Sequence, residues 1–321
     1  MALNACMRTH GGFEGNAQTF RILTRLEGPS VEPPVGLNLV RSTLLAIIKY
    51  PATYERVCNA GVYDHVPGSG PPKFNVYAAD SGAYNWVLRP FSDEDRSRFE
   101  SIDQPARGEL RHGRTLERTV ECSLINVADD IAYATHDLED ALGLGLVDTA
   151  EVVDRLTAHK DLCGDSYSLF DALPRHERAS RVEYKRAMAF LIHDLITNVQ
   201  LEKRPVFRSN RLQFNVVLPA KFQRLVRDLN DLVFDRVIQS HAVRTLEWRG
   251  RNLIARLFDA FADSPKQLLS TSDLERYLAA DSEDSRLRVI CDYIANMTDS
   301  YLMRLYARLF ESRFASVFEQ L

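Results

Sequence analysis

The stretch ADDIAYATHDLEDAL, residues 128 to 142, places five carboxylates, one tyrosine and one histidine in fifteen residues without a Lys or Arg. Carboxylates gathered without cations of their own call for a cation from elsewhere, either a divalent metal or a basic side chain of another segment. On a helix turning 100° per residue, Asp129, Tyr133 and Asp137 fall at i, i+4 and i+8. They stay within about 80° of one another, with Asp140 on the same side. Leu124, Val127, Ile131 and Leu138 are expected on the opposite, core-facing side. A solvated amphipathic face is the plain alternative. Against it, residues 119–154 hold no Lys or Arg that could pair with these acids at i, i+4. Small Ala128 and Ala132 flank the acids where long polar chains would be expected. His136, beside Asp137, is a candidate general base, although a helical histidine is more often a hydrogen-bonded structural residue.

The elements that must position this face read as helices. NAQTFRILTRLE (16–27) and NLVRSTLLAIIK (38–49) each begin with an Asn suited to N-capping and repeat apolar residues at helical spacing. Pro29, Pro33 and Pro34 break the chain between them, and Pro51 ends the second. The start, MALNACMRTHGGFEGNAQTF, reads as helix, turn, helix. Residues 59–115 are the least regular, with VPGSGPPK as a loop and FNVYAADSGAYNWV as a short strand or helix. Helix is expected over 117–142, most of 148–161, 178–200, 220–240, 243–262, 272–280 and 284–316. Residues 201–219 should be extended, because Val and Phe residues lie near Pro205 and Pro219. His10, His65 and His112 fall in expected loops without His-Asp spacing. The class is therefore mainly α, with no internal repeat.

Composition excludes several functions. The chain has 321 residues, 45% of them hydrophobic, enough for one large domain or two modest ones. A formal charge of −4 implies neither a nucleic-acid nor a membrane partner. Five scattered cysteines without a CxxC fit neither a disulfide framework nor a zinc knuckle, and a reducing cytoplasm is the simplest location. No apolar run reaches the length of a membrane span.

Four blocks then carry a family resemblance. ADDIAYATHDLEDAL, GGFEGNAQTFRILTRLE (11–27), GLNLVRSTLLAIIKYP (36–51) and RVICDYIANMTDSY (288–301) resemble, in the same order, motifs of the HD-domain deoxynucleoside triphosphate triphosphohydrolases, the dGTPase family. The resemblance implies an HD-like helical bundle over 1–200, with an irregular insertion at 59–115, and a helical phosphohydrolase-associated region over 201–321. It implies cleavage of a deoxynucleoside triphosphate to deoxynucleoside and inorganic triphosphate. A divalent metal, Mg or Mn, would be held by a histidine, a His-Asp pair and a later aspartate.

By position, Asp129 matches that last metal ligand. Tyr133 matches the tyrosine packed on the deoxyribose, and Asp137 the acid that bonds the 3′-hydroxyl. Lys49 and Tyr50 match residues holding the triphosphate, Lys73 a further phosphate-binding lysine, and Arg288 a nucleotide-contacting arginine. Asn16 and Gln18 match residues near metal and substrate. Asn296 stands where the family has Gly.

The family's metal-binding histidines and the HDxGHPPFGHxGE block belong upstream of the segment that resembles ALNACM, and here Met1 directly precedes it. The catalytic residues are therefore left unassigned. The expectation is an N-terminally incomplete HD domain that does not retain the metal alone and has little activity by itself. The resemblance also implies a homo-oligomer and leaves a nucleic-acid effector open. Alternatives are a non-catalytic nucleotide-binding or assembly subunit and an unrelated helical interaction protein.

Overall fold

The computed structural model describes residues 1–28, 36–66, 68–175 and 179–311. Pro29, Pro33, Pro34 and the end of the last expected helix, 312–316, lie outside the described residues. The class is mainly α, as expected. Helix α1 spans Ala2–Met7 and α2 Gly15–Arg21, continued by a wider π-helical turn over Ile22–Leu26. Next come α3 (Arg41–Ile47), α4 (Tyr54–Val57), α5 (Ala60–His65), α6 (Ser81–Leu88) and α7 (Asp93–Phe99), so the irregular region is more helical than its composition suggested. His65 closes α5 rather than lying in a loop. Strands β1 (Ile102–Asp103) and β2 (Arg114–Thr115) pair antiparallel just ahead of the long α8, Val120–Leu144.

Beyond it lie α9 (Thr149–Thr157), α10 (Gly164–Asp171) and α11 (Arg181–Ile196). The extended segment folds back on itself: β3 (Gln200–Lys203) pairs antiparallel with β4 (Phe214–Val217), with the short α12 (Asn210–Gln213) between them. Then follow α13 (Ala220–Val233), α14 (His241–Asp263), α15 (Pro265–Leu268) and α16 (Thr271–Ala279). The last expected helix is two, α17 (Glu283–Ala295) and α18 (Asp299–Phe310). They divide where Thr298 caps a new helix through the Tyr301 N–H.

Two caps differ from expectation. Glu14, not Asn16, caps α2, because its carboxylate accepts the Asn16 N–H at a helix start, where negative charge is favoured. Asn38 does not cap α3. It sits at φ 52 in a left-handed turn that Asn tolerates, and the helix begins only at Arg41. Gly36 makes that turn possible: a Cβ there would lie 2.2 Å from the Leu23 carbonyl oxygen.

Helix α8 is well bounded. The Thr119 hydroxyl accepts the Cys122 N–H and donates to the Leu45 carbonyl, and Gly145, at φ 70, ends the helix in the left-handed conformation. Val127, Ile131 and Leu138 on its inner face pack with Leu156, Phe170, Leu191, Leu225 and Leu229 of the surrounding helices. Leu124 departs from the expected core face, being 54% exposed, because no described element covers that part of α8. A second core joins Phe20, Leu44, Leu45 and Ile48 to Val76, Val87 and Phe99. A third sets Leu3 and Met7 of α1 against Leu257, Phe261, Ile290 and Ile294, so the first helix packs on the last third of the chain.

Candidate functional site

The acids of α8 stand on the outer face set by this packing. Asp129, Tyr133, His136 and Asp140 are exposed, and Asp137 is partly covered. The cation comes from another segment: Lys49, just beyond α3, brings its Nζ to 3.8 Å from the Asp129 carboxylate. Asp129 is 71% exposed and Lys49 25%. Partial burial raises the pKa of the neighbouring Asp130 carboxyl, while Lys49 and Arg118 oppose the rise.

A second group of expected residues meets around Glu14, which sequence reasoning passed over. Its buried carboxylate receives the Asn16 N–H at 2.5 Å, the Asn16 side-chain amide at 3.0 and 3.1 Å, and the Lys73 ammonium at 2.9 Å. Burial pulls the Lys73 pKa down, but the bond to Glu14 and its charge prevail and raise it. The Tyr50 phenol lies within the fields of Lys73, Glu14 and Arg118, and burial raises its pKa. Fully buried Asn75 ties these pieces together. Its side chain accepts the Tyr50 N–H at 2.9 Å and donates to the carbonyls of Asn16 and Ile47 at 3.0 and 3.1 Å. Glu14 carried one signal, an acid directly ahead of a helix; Asn75 carried none.

The remaining two residues lie inside. Gln18 donates to Asp292 at 3.0 Å and lies 3.3 Å from the Tyr77 hydroxyl. Arg288 donates to the carbonyls of His10 and Gly12 at 3.1 and 2.6 Å and stacks over the Tyr77 ring at 3.8 Å. Both belong to the interior that joins the start of the chain to α17. Arg21 lies at its centre, ion-paired to Asp292 at 2.9 Å and to Asp80 at 2.7 Å.

The arrangement offers two ammonium groups, a phenol, an exposed aromatic ring and a carboxylate partner for a hydroxyl. That inventory suits a phosphorylated sugar more than an apolar ligand. Among the described residues, no group of three or more His, Cys, Asp or Glu side chains stands where it could hold a metal ion. Asp129 with a lysine beside it is therefore not a donor set that fits Mg or Mn. No described helix is long and apolar enough to cross a membrane.

Known proteins similar to this chain are triphosphohydrolase-like. Residues 216–308 match the family model of the phosphohydrolase-associated domain. A deoxyguanosinetriphosphate triphosphohydrolase-like protein of Shewanella baltica (strain OS223) is 36% identical over 333 residues, covering 98% of this chain and 73% of the relative. Proteins of the same description from Shewanella halifaxensis (strain HAW-EB4) and Shewanella woodyi (strain ATCC 51908 / MS32) are each 37% identical, covering 99% of this chain and 73% of their own length.

Proposed function

The chain belongs to the family of deoxyguanosinetriphosphate triphosphohydrolase-like proteins, and from that premise we propose that the outer face of α8 takes a deoxynucleoside triphosphate. The reaction this site serves is cleavage to deoxynucleoside and inorganic triphosphate. The supporting observation is the approach of Lys49, from a separate segment, to the Asp129 end of a face that also carries Tyr133 and Asp137.

In this reading Lys49, Lys73 and Tyr50 bind the triphosphate, the ammonium groups as mobile point charges with three donors each. The Tyr133 ring, 46% exposed, offers its face to the deoxyribose. The Asp137 carboxylate accepts a hydrogen bond from the 3′-hydroxyl. Asn16 lies beside the phosphates, while Gln18 and Arg288 act from the interior by holding the segment that carries Glu14 and Asn16.

The family resemblance implies a divalent metal with Asp129 as one ligand. The donors described do not fit such an ion, and no step is routed through it. We propose that this polypeptide binds the nucleotide and turns it over slowly.

We place it in the cytoplasm, for which the five free cysteines give support. We also propose a homo-oligomer, supported by exposed Leu246 and Trp248 on α14. We further propose a division near residue 200, for which the position of the phosphohydrolase-associated match, residues 216–308, gives support.

The test is displacement of a fluorescent nucleotide by dGTP, with triphosphate release followed by chromatography. Binding that is weakened in Lys49→Met, with turnover well below about 1 per second, is expected. A chain that binds no dGTP overturns the reading of the face, and turnover at ordinary enzyme rates overturns the statement about rate.

A further inference from the structure

A cleft of 460 Å³ runs between α8, β4 and α13, lined by residues that the nucleotide reading does not use. Asn126 and Asp130 on α8 face Arg227 and Asn230 on α13, and Arg118 closes the end ahead of α8. The spacings, i to i+4 on one helix and i to i+3 on the other, each put a pair on one helical stripe. The inner stripes of the same two helices are apolar core, with Val127 and Val226 buried. The polar row is thus the margin of a packed interface, where solvated side chains would be the ordinary occupants.

Two observations separate this row from an ordinary margin. First, neither Arg118 nor Arg227 forms an ion pair with a carboxylate among the described residues. Nearby Arg204 and Arg211 are each paired, with Glu117 and Glu121. Second, Arg118 Nε and Asn230 Oδ1, in the wall of the cleft, are buried without a hydrogen-bond partner among the described residues, so no other side chain fixes either group in place. The lining holds one carboxylate, Asp130, against two guanidinium groups. Asn126 donates to that carboxylate at 3.0 Å, and Lys49 lies close enough to act on it. The balance of charge is positive.

We propose that this cleft is a binding site for a phosphoryl anion held between Arg118 and Arg227. Guanidinium forks match phosphate oxygens in pairs, and two forks approaching from separate elements suit an anion with three or more oxygens better than a carboxylate. Asn230, on the same stripe of α13 as Arg227, lines the cleft with a side-chain amide whose N–H can add a further donor. The anion is either free or part of a nucleotide, and the chemistry of the cleft is the same for both. The inference does not rest on the assignment of Lys49, Lys73 and Tyr133.

The test uses the full chain and the arginine reagent phenylglyoxal, with modified peptides mapped by mass spectrometry in the presence of inorganic phosphate, inorganic triphosphate or dGTP. Arg227, being exposed, reacts readily in the free protein. Expected is protection of Arg227 by at least one of the three. Protection by either inorganic anion identifies a free phosphoryl group as sufficient, and protection by dGTP alone identifies the phosphate of a nucleotide. Arg227→Met, a change on the surface, should weaken binding of the protecting anion by about tenfold or more, with the circular dichroism spectrum unchanged. Modification of Arg227 at the same rate under all three conditions, or undiminished binding by Arg227→Met, overturns the proposal.

Discussion

Lys49 and Asp129 come from segments eighty residues apart and stand 3.8 Å from each other on an open surface, a contact that joins the end of α3 to the acidic face of α8. Its exposure decides what it can do. An ion pair this open contributes less than about 1 kcal/mol to stability. Asp129→Ala should therefore leave the thermal midpoint almost unchanged, while Lys49→Met weakens binding of inorganic triphosphate by about tenfold. A large drop in melting temperature for Asp129→Ala in calorimetry would show that the contact is structural.

Asp137 should set the requirement for the sugar hydroxyl. Loss of its hydrogen bond in Asp137→Ala should cost dGTP about 1–3 kcal/mol of binding and leave a dideoxynucleotide little affected, narrowing the preference between them. Equal losses for both ligands in a competition assay would remove Asp137 from that role.

Arg21 should behave in the opposite way to Lys49. It is buried between Asp292 and Asp80, which would keep only the longer contacts of Arg276 at 3.2 Å and Arg25 at 3.5 Å, so Arg21→Leu leaves two interior carboxylates poorly paired at a cost of about 3 kcal/mol. Denaturant unfolding should report that loss, and a variant within 1 kcal/mol (about the size of a surface effect) would contradict it.

The thiols give a pH prediction. Burial pushes Cys6, Cys122 and Cys163 up to about 11 and Cys291 up to about 12. At pH 8 these groups are almost wholly protonated, so the native protein should react slowly with a disulfide reagent and the unfolded protein quickly at five sites. The linkage has a definite sign. The folded state keeps protons that an ordinary thiol releases near 9.0, so stability falls as pH rises through the window from 9.0 to about 12. Fast reaction of all five thiols in the native state would rule out this burial.

Chelation should change nothing in this protein. With no donor set for a divalent ion among the described residues, EDTA treatment should leave both the melting temperature and triphosphate binding where they were. Stoichiometric Mn²⁺ retained through dialysis would contradict this and place a divalent-ion site on the protein.

The acidic face was legible because helical geometry is local. Thr119 and Gly145 bound α8, Val127, Ile131 and Leu138 fix its inner side, and Asp129, Tyr133 and Asp137 must then share the outer one. The same periodicity could not say that Leu124 is left exposed, since cover is supplied by other elements. Nor could it find Glu14 beneath Lys73, Asn75 between Tyr50 and Asn16, or Arg118 across a cleft from Arg227. Gln18 and Asp292 meet across 274 residues, and Arg288 reaches the His10 carbonyl across 278. Sequence spacing settles which side chains share a face, because the backbone repeat is fixed. Which faces meet depends on how α1 and α2 return against α14 and α17, and only the assembled core decides that.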